Sequence, residues 1–336
     1  MSLPQFMTKN LRLPAMAAPM FIASTPELVV EQCKAGMIGS IPALNARPQS
    51  QLDEWITHIK NELAKYDAEN PDKPSAPFAI NQISHPSNDR LMGDLEIIAK
   101  HKVPIVIVSL YVAPQICEVV HGYGGVVFND IISNRQAKKS IECGVDGLIA
   151  VAAGAGGHTG NISPFALVAE IREWWQGPLA LSGCIATGQN ILAALATGAD
   201  LAYIGSPFIA TDEANALPEY KDMVVQGEAK DIMTSDAFSG VPANFLIGSI
   251  ERAGLDPKNL KRDDSKPVDV SEKSQSFNTW KDIWGCGQGI GAVKKIRPAA
   301  ELIAELIEQY DAAKKELLAR CFAESAEQHF SSSETA

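Results

Sequence analysis

Three short segments hold most of the residues from which chemistry could be built. Ser182-Gly183-Cys184-Ile185-Ala186-Thr187-Gly188 and Gly205-Ser206-Pro207-Phe208 each follow a short apolar run. Glycines there let the backbone approach a ligand closely, and N–H groups where the next helix starts point at an anion, so the pair reads as a phosphate cradle. The plainer alternative is two tight turns with Thr187 as a helix N-cap. The third segment, Ala153-Gly154-Ala155-Gly156-Gly157-His158-Thr159-Gly160-Asn161, sets four glycines around one histidine. Such a loop can wrap a planar ligand while His158 acts as acid, base or hydrogen-bond donor near neutral pH. The plainer alternative is a turn in which His158 caps a helix starting near Ser163-Pro164.

Other residues after apolar runs add to this set. Met20 and Phe21 offer one wall for a flat ligand, and Asn81 and Gln82 supply amide donors and acceptors, although each equally suits the filling of a barrel mouth. His85 is the one serious competitor to His158. What is missing narrows the chemistry. No lysine ends a run, which argues against a Schiff base. Asp130 is the one acid in such a place, so a catalytic metal is not expected. Cys184 is a nucleophile by type, but a cysteine beside a phosphate turn is more often structural. A phosphate, a planar ligand and one histidine, without metal or Schiff base, point to flavin mononucleotide (FMN).

These residues need a scaffold that brings them to one end of the molecule. Eight β-rich apolar runs, at residues 15–19, 37–41, 78–82, 105–110, 125–129, 147–152, 179–182 and 201–205, alternate with segments of helical period such as 51–66, 89–100, 135–143, 165–175 and 188–197. The runs are continuously apolar, as strands covered on both faces are. Eight such units predict an α/β protein built on a (β/α)8 TIM barrel, with chemistry at the C-terminal ends of the strands. The predicted division is a barrel over residues 1–226, an inserted cap or substrate domain over 227–290 and a C-terminal helix, within 291–336, packing back on the barrel. Phe238, Phe245, Trp280 and Trp284 would give the insertion an apolar inner face or a small core of its own.

Composition bounds the partners. The 336 residues carry 29 basic against 40 acidic side chains, a net charge of −11, with no dense Lys/Arg run. Nucleic acid is therefore not an expected partner. No stretch reaches the ~18 apolar residues of a membrane span, and the first residues lack a signal-peptide pattern, so the expectation is a cytoplasmic protein without membrane contact. Six cysteines lie far apart with no C-x-x-C pair, which signals neither a zinc ribbon nor a disulfide framework.

Through Ala18-Pro19-Met20, Asn81, Gly156-Gly157-His158-Thr159-Gly160, Ser182-Gly183 and Gly205-Ser206, the chain resembles the nitronate monooxygenase family, formerly called 2-nitropropane dioxygenases, over roughly residues 14–212. The resemblance implies an FMN-dependent barrel that oxidises alkyl nitronates with O2 to a carbonyl compound and nitrite. It implies that Met20, Asn81, Gly156, Gly157, Ser182, Gly183, Cys184, Gly205 and Ser206 line the FMN, with His158 catalytic near the flavin N5. Gln288, in Trp284-Gly285-Cys286-Gly287-Gln288-Gly289, looks like the family's glycine–glutamine element returning to the flavin. Two departures stand out. Cys184 replaces a second glycine of many relatives, and Asn129-Asp130 stands where some carry a basic residue. NADH:quinone reductases and flavin-dependent enoyl-ACP reductases resemble the chain nearly as well, so NAD(P)H-driven reduction is the alternative. A non-catalytic flavin-binding barrel is a third reading, and the sequence leaves homodimer formation open. The expected small-molecule partners are a substrate and O2.

Overall fold

A computed structural model describes residues 3–262 and 280–331 of the chain. Each of the eight apolar runs is a strand, with ends shifted by two residues at most. They are β1 (Ala15–Ala17), β2 (Gly39–Pro42), β3 (Phe78–Ser84), β4 (Ile105–Leu110), β5 (Val126–Ile131), β6 (Gly147–Val151), β8 (Leu179–Ser182) and β9 (Leu201–Ile204), and β7 is the two-residue strand Gly157–His158. The barrel strands are parallel in the order β1-β9-β8-β6-β5-β4-β3-β2. The sheet closes where Met16 pairs with Ile38 and the Ala17 N–H donates to Ile38 O at 2.8 Å. This is the expected TIM barrel.

Side chains alternate along each strand, so every second residue enters the barrel. The lower inward positions are apolar: Met16, Ile38, Ala79, Ile105, Ile107, Phe128, Ile149, Ala180 and Leu201 are fully buried in one cluster. Each of the larger side chains among these contributes roughly 1.5–3 kcal/mol on burial, so this half is a packed core, not a pore. Gly147 is fixed by that packing, because a Cβ there would lie 2.4 Å from the Phe128 ring. The short helix α1 (Gln5–Thr8) closes the bottom by adding Met7 to the cluster. Two residues further up the same rows the chemistry changes to Asn81, Ser109, Asp130, Ser182 and Tyr203, and these line a cavity.

Outside run helices α2 (Pro26–Lys34), α3 (Gln51–Glu69), α4 (Leu91–His101), α5 (Pro114–His121), α6 (Asn134–Glu142), α7 (Pro164–Arg172) and α8 (Gly188–Ala196). The helix directly after β9, Ser206–Ile209, has only four residues and cannot cover a strand. The C-terminal helix, Ala299–Ser331, takes that place. Its Ala299, Leu302, Ile303 and Leu306 enter the main core, and Gln309 Oε1 accepts from the Gly188 N–H at the start of α8.

Two strands after the barrel, β10 (Ile232–Ser235) and β11 (Ala243–Leu246), form a second, antiparallel sheet with β7, which comes from the loop between β6 and β8. The cap has its own apolar clusters, one around Phe245, Ile250 and Ile283 and one around Val224, Ile232, Leu246 and Trp284. The second spans position 227, since Val224 lies on the helix Pro218–Gln226. Of the predicted insertion over 227–290, residues 263–279 lie outside the described residues. Among the described residues no helix is long and apolar enough to cross a membrane.

Candidate active site

The cavity over the polar barrel layer measures about 1330 Å³ and opens at the C-terminal ends of the strands. Met20, Asn81, Gly156, Gly157, His158, Ser182, Gly183, Cys184, Gly205 and Ser206 all line it. Gln288 does not. Its neighbours Gly287 and Gly289 do, while the Gln288 N–H donates to Gly154 O at 2.9 Å and its Oε1 lies 4.0 Å from Cys184 Sγ. The residue thus pins the returning loop instead of walling the cavity. Gln82 is also elsewhere. It follows Asn81 on β3, so it faces outward, where it is fully buried on the side of Asp94.

The turn after β8 leaves fewer N–H groups open than the phosphate reading expects, and the capping reading of Thr187 holds. Thr187 caps α8 in a reciprocal box with Asn190. Asn190 Oδ1 accepts from the Ala186 and Thr187 N–H groups, and Gln309 takes that of Gly188. The start of α8 is therefore occupied by protein acceptors. Gly183, Cys184, Gly205 and Ser206 remain as the backbone facing the cavity. Gly183 has φ +134°, and a Cβ there would sit 2.9 Å from Ala153 O, so close backbone approach depends on glycine. Cys184 takes φ +57°, and its thiol is pushed up by the protein around it, the opposite of an activated nucleophile. Ser206 Oγ accepts from the Gly287 N–H at 2.9 Å.

His158 is not on a loose loop. Gly157 and His158 form β7, paired antiparallel with Asn244 and Ala243 of β11. Asn244 Nδ2 donates to Ala155 O at 2.7 Å, and the Thr159 N–H donates to Pro242 O at 3.1 Å. The sequence hides this pairing because its partner lies more than 80 residues away and two residues carry no strand period. The His158 ring meets Trp280 edge-on, with centroids 5.5 Å apart. The side chain is exposed to the open cavity, and desolvation by the protein around it lowers the imidazole from its ordinary range toward about 4. His158 is thus neutral at pH 7, able to accept a proton. The competitor His85 is held by Ser87, Nδ1 to Oγ at 2.8 Å, and is not in the cavity wall.

On the floor runs a hydrogen-bond chain. Asn81 Nδ2 donates to Ile107 O at 3.1 Å and to Ser109 Oγ at 2.7 Å, and Ser109 Oγ donates to Asp130 Oδ2 at 2.6 Å. Burial pushes the Asp130 carboxyl up to about 6, against the lowering effect of Ser109. Ser109 and Tyr203 went unnoticed in the sequence. Their signal was positional, since each stands two residues beyond an inward apolar residue of its strand. Of the cap aromatics, Phe238, Trp280 and Trp284 line the cavity, whereas Phe245 is core. Trp284 is also stacked on Tyr220 at 4.8 Å, so the cap has both the apolar face and the separate core considered for it. Among the described residues no group of three His, Cys, Asp or Glu side chains could hold a metal.

Comparison with known proteins places this geometry. Residues 5–309 match the family model described as nitronate monooxygenase. A nitronate monooxygenase of Paraburkholderia phytofirmans is 26% identical over 344 aligned positions, covering 87% of this chain and 91% of that protein. In structure the chain is similar to a nitroalkane oxidase of Streptomyces ansochromogenes, with TM-score 0.74 and 22% identity over 93% of this chain and 99% of that one. It is also similar to the enoyl reductase domain of MlnA from Bacillus amyloliquefaciens, with TM-score 0.66 and 14% identity over 93% and 97%. At these identities the two structures speak for the fold alone.

Proposed function

The chain belongs to the nitronate monooxygenase family, a family of flavin-dependent oxidoreductases, and from that premise we propose that it oxidises alkyl nitronates with O2 to carbonyl compound and nitrite, using FMN. The observation that carries this reading is His158, which faces the cavity from a strand locked to the cap. The residues fit a mononucleotide. Gly183, Cys184, Gly205 and Ser206 would hold the phosphate by their main chain, and a side chain at Gly183 would collide with Ala153 O. Met20 and Asn81 would flank the ring. Bound there, FMN supplies the redox chemistry, accepting electrons from the substrate and passing them to O2.

The protein's own tasks are then few. The cap aromatics Phe238 and Trp280 exclude water over the ring and bind the alkyl part of the substrate. A nitronate is already electron-rich at carbon, so His158 need only orient its nitro group; for a neutral nitroalkane it removes the α-proton. The cavity volume favours one further reading. About 1330 Å³ exceeds the roughly 300–1,000 Å³ that one drug-sized ligand fills, so a mononucleotide leaves room for a long substrate. NAD(P)H-driven reduction of a quinone or enoyl thioester is therefore the alternative. Parallel assays with propionate 3-nitronate, NADH plus quinone, and NADH plus crotonyl thioester decide between them. Nitronate-dependent O2 uptake with nitrite release is the expected result. Turnover with an NADH couple alone would replace the first reading by the second.

A further inference from the structure

A catalytic imidazole is commonly oriented by a hydrogen bond from its second nitrogen to a carboxylate or carbonyl. Three other histidines of this chain are held by such side-chain bonds. His85 bonds Ser87 Oγ at 2.8 Å, His101 bonds Asp53 Oδ1 at 2.6 Å and His121 bonds Asp146 Oδ2 at 2.8 Å. Neither nitrogen of the His158 ring has a partner among the described residues. Pairing with Ala243 fixes the His158 backbone but not the two side-chain torsions that aim the ring. What meets the ring is an aromatic contact: the Trp280 indole stands edge-on to it, with centroids 5.5 Å apart and planes at 86°. Aromatic pairs favour this arrangement, and it holds a ring's tilt without occupying its nitrogens.

Trp280 is itself supported from behind. Its ring packs on Phe245 with centroids 5.2 Å apart, and the fully buried Phe245 meets Phe238 edge-on at 5.1 Å. Below, Gly285 makes room for the indole, since a Cβ there would lie 3.0 Å from Trp280 Cζ3 and 3.4 Å from Gly157 Cα. A row of rings thus runs from the cap core to the imidazole. We propose that Trp280 is the positioning residue of His158, fixing the plane of the imidazole by contact alone. A ring nitrogen then takes the α-proton of a neutral nitroalkane without first giving up a bond to the protein. The C–H bond breaks, its electron pair stays on the substrate as the nitronate, and the proton passes to the ring. This rests on the reading of His158 as the base for neutral nitroalkanes.

The test compares full-length, FMN-loaded wild type with Trp280→Leu and Trp280→Phe by kinetics and by NMR of 13C-labelled histidine. The His158 signal is assigned by its loss in His158→Asn. Trp280→Leu should lower kcat/KM for a neutral nitroalkane by roughly 10- to 100-fold and for the preformed nitronate by about threefold at most, because a displaced base affects only the step that breaks C–H. The kinetic isotope effect with α-deuterated nitroalkane should rise, and the His158 signal should shift as the indole ring current is lost. Trp280→Phe, which keeps an aromatic edge, should restore most of the rate. Equal losses on both substrates, as from a residue that only touches the alkyl chain, would overturn the inference, and so would an unmoved His158 signal. A wild type inactive on neutral nitroalkanes would overturn the base role instead, and the NMR comparison would still decide whether Trp280 holds the ring. If Trp280→Leu does not fold, Gly285→Ala, whose new Cβ presses on the indole, carries the same measurements.

Discussion

At the scale of the residue, the reading turns on a histidine kept neutral by its surroundings. An ordinary imidazole gains its proton near pH 6.5, whereas desolvation by the surrounding protein lowers that of His158 toward about 4, even though the side chain is exposed to the cavity. If it is the base for neutral nitroalkanes, the acid limb of kcat/KM in the pH–rate profile lies well below 6.5, and a limb at 6.5 would show that the ring titrates as if solvated. The folded state binds fewer protons here than the unfolded chain between pH 4 and 6.5. This site's contribution to stability is therefore present above 6.5 and is lost as pH falls through that window. His158→Asn should keep FMN bound, since the proposed cradle is backbone from other loops. It should lower kcat/KM for a neutral nitroalkane by ~10²–10⁴-fold and act far less on the preformed nitronate. Equal losses on both substrates would make His158 a positioning group, and no loss on either would remove it from the mechanism.

At the scale of the element, the site is built where barrel strands stop being apolar and where the cap returns to them. The barrel was legible because each strand, buried on both faces, is a continuous apolar run bounded by helix-start signals such as Ser133 and Thr187. His158 and the glycine turns were legible for the same reason, since they follow those runs directly. The β7–β11 pairing, the polar floor and the occupied start of α8 were not, because each depends on partners distant in sequence: Asn244 to Ala155, Asp130 to Ser109, Gln309 to Gly188. That pairing makes its own prediction. Asn244→Ala removes the buried donor to Ala155 O and leaves that carbonyl unpaired, at about 1–3 kcal/mol. The strand carrying His158 then loosens, so kcat should fall several-fold while FMN affinity stays within about twofold. A change in FMN affinity with kcat untouched would show that the cap strand serves the cofactor instead. Gly183→Val should empty the flavin site, because the residue sits at φ +134° with Ala153 O 2.9 Å from the new Cβ. Unchanged flavin content would place the phosphate elsewhere.

At the scale of the whole molecule, the cavity wall contributed by the segment after β2 is held by a charge pair buried in the helical ring. Asp94 is fully buried and accepts from Arg90 Nη2 at 3.1 Å and from Gln49 Nε2 at 2.8 Å. Desolvation raises its carboxyl, and Gln49 and Arg90 pull it back. Arg90 Nη1 also donates to Ala46 O at 2.7 Å and Nη2 to Ala43 O at 3.3 Å. These bonds tie the start of α4 to the chain that presents Leu44 and Arg47 to the cavity. Removing one member of a buried pair leaves the other uncompensated and costs about 3–5 kcal/mol. Asp94→Ala should therefore lower Tm by on the order of 5–10 °C and raise substrate KM through the displaced Arg47 segment, with kcat per bound flavin unchanged. Replacing both partners, as Arg90→Met with Asp94→Leu, removes the stranded charge but still orphans the Ala43 and Ala46 carbonyls. The double variant should melt above Asp94→Ala and below the wild type. A double variant as stable as the wild type would show that the carbonyl bonds contribute little, and an unchanged Tm in Asp94→Ala would show that the pair does not hold this wall.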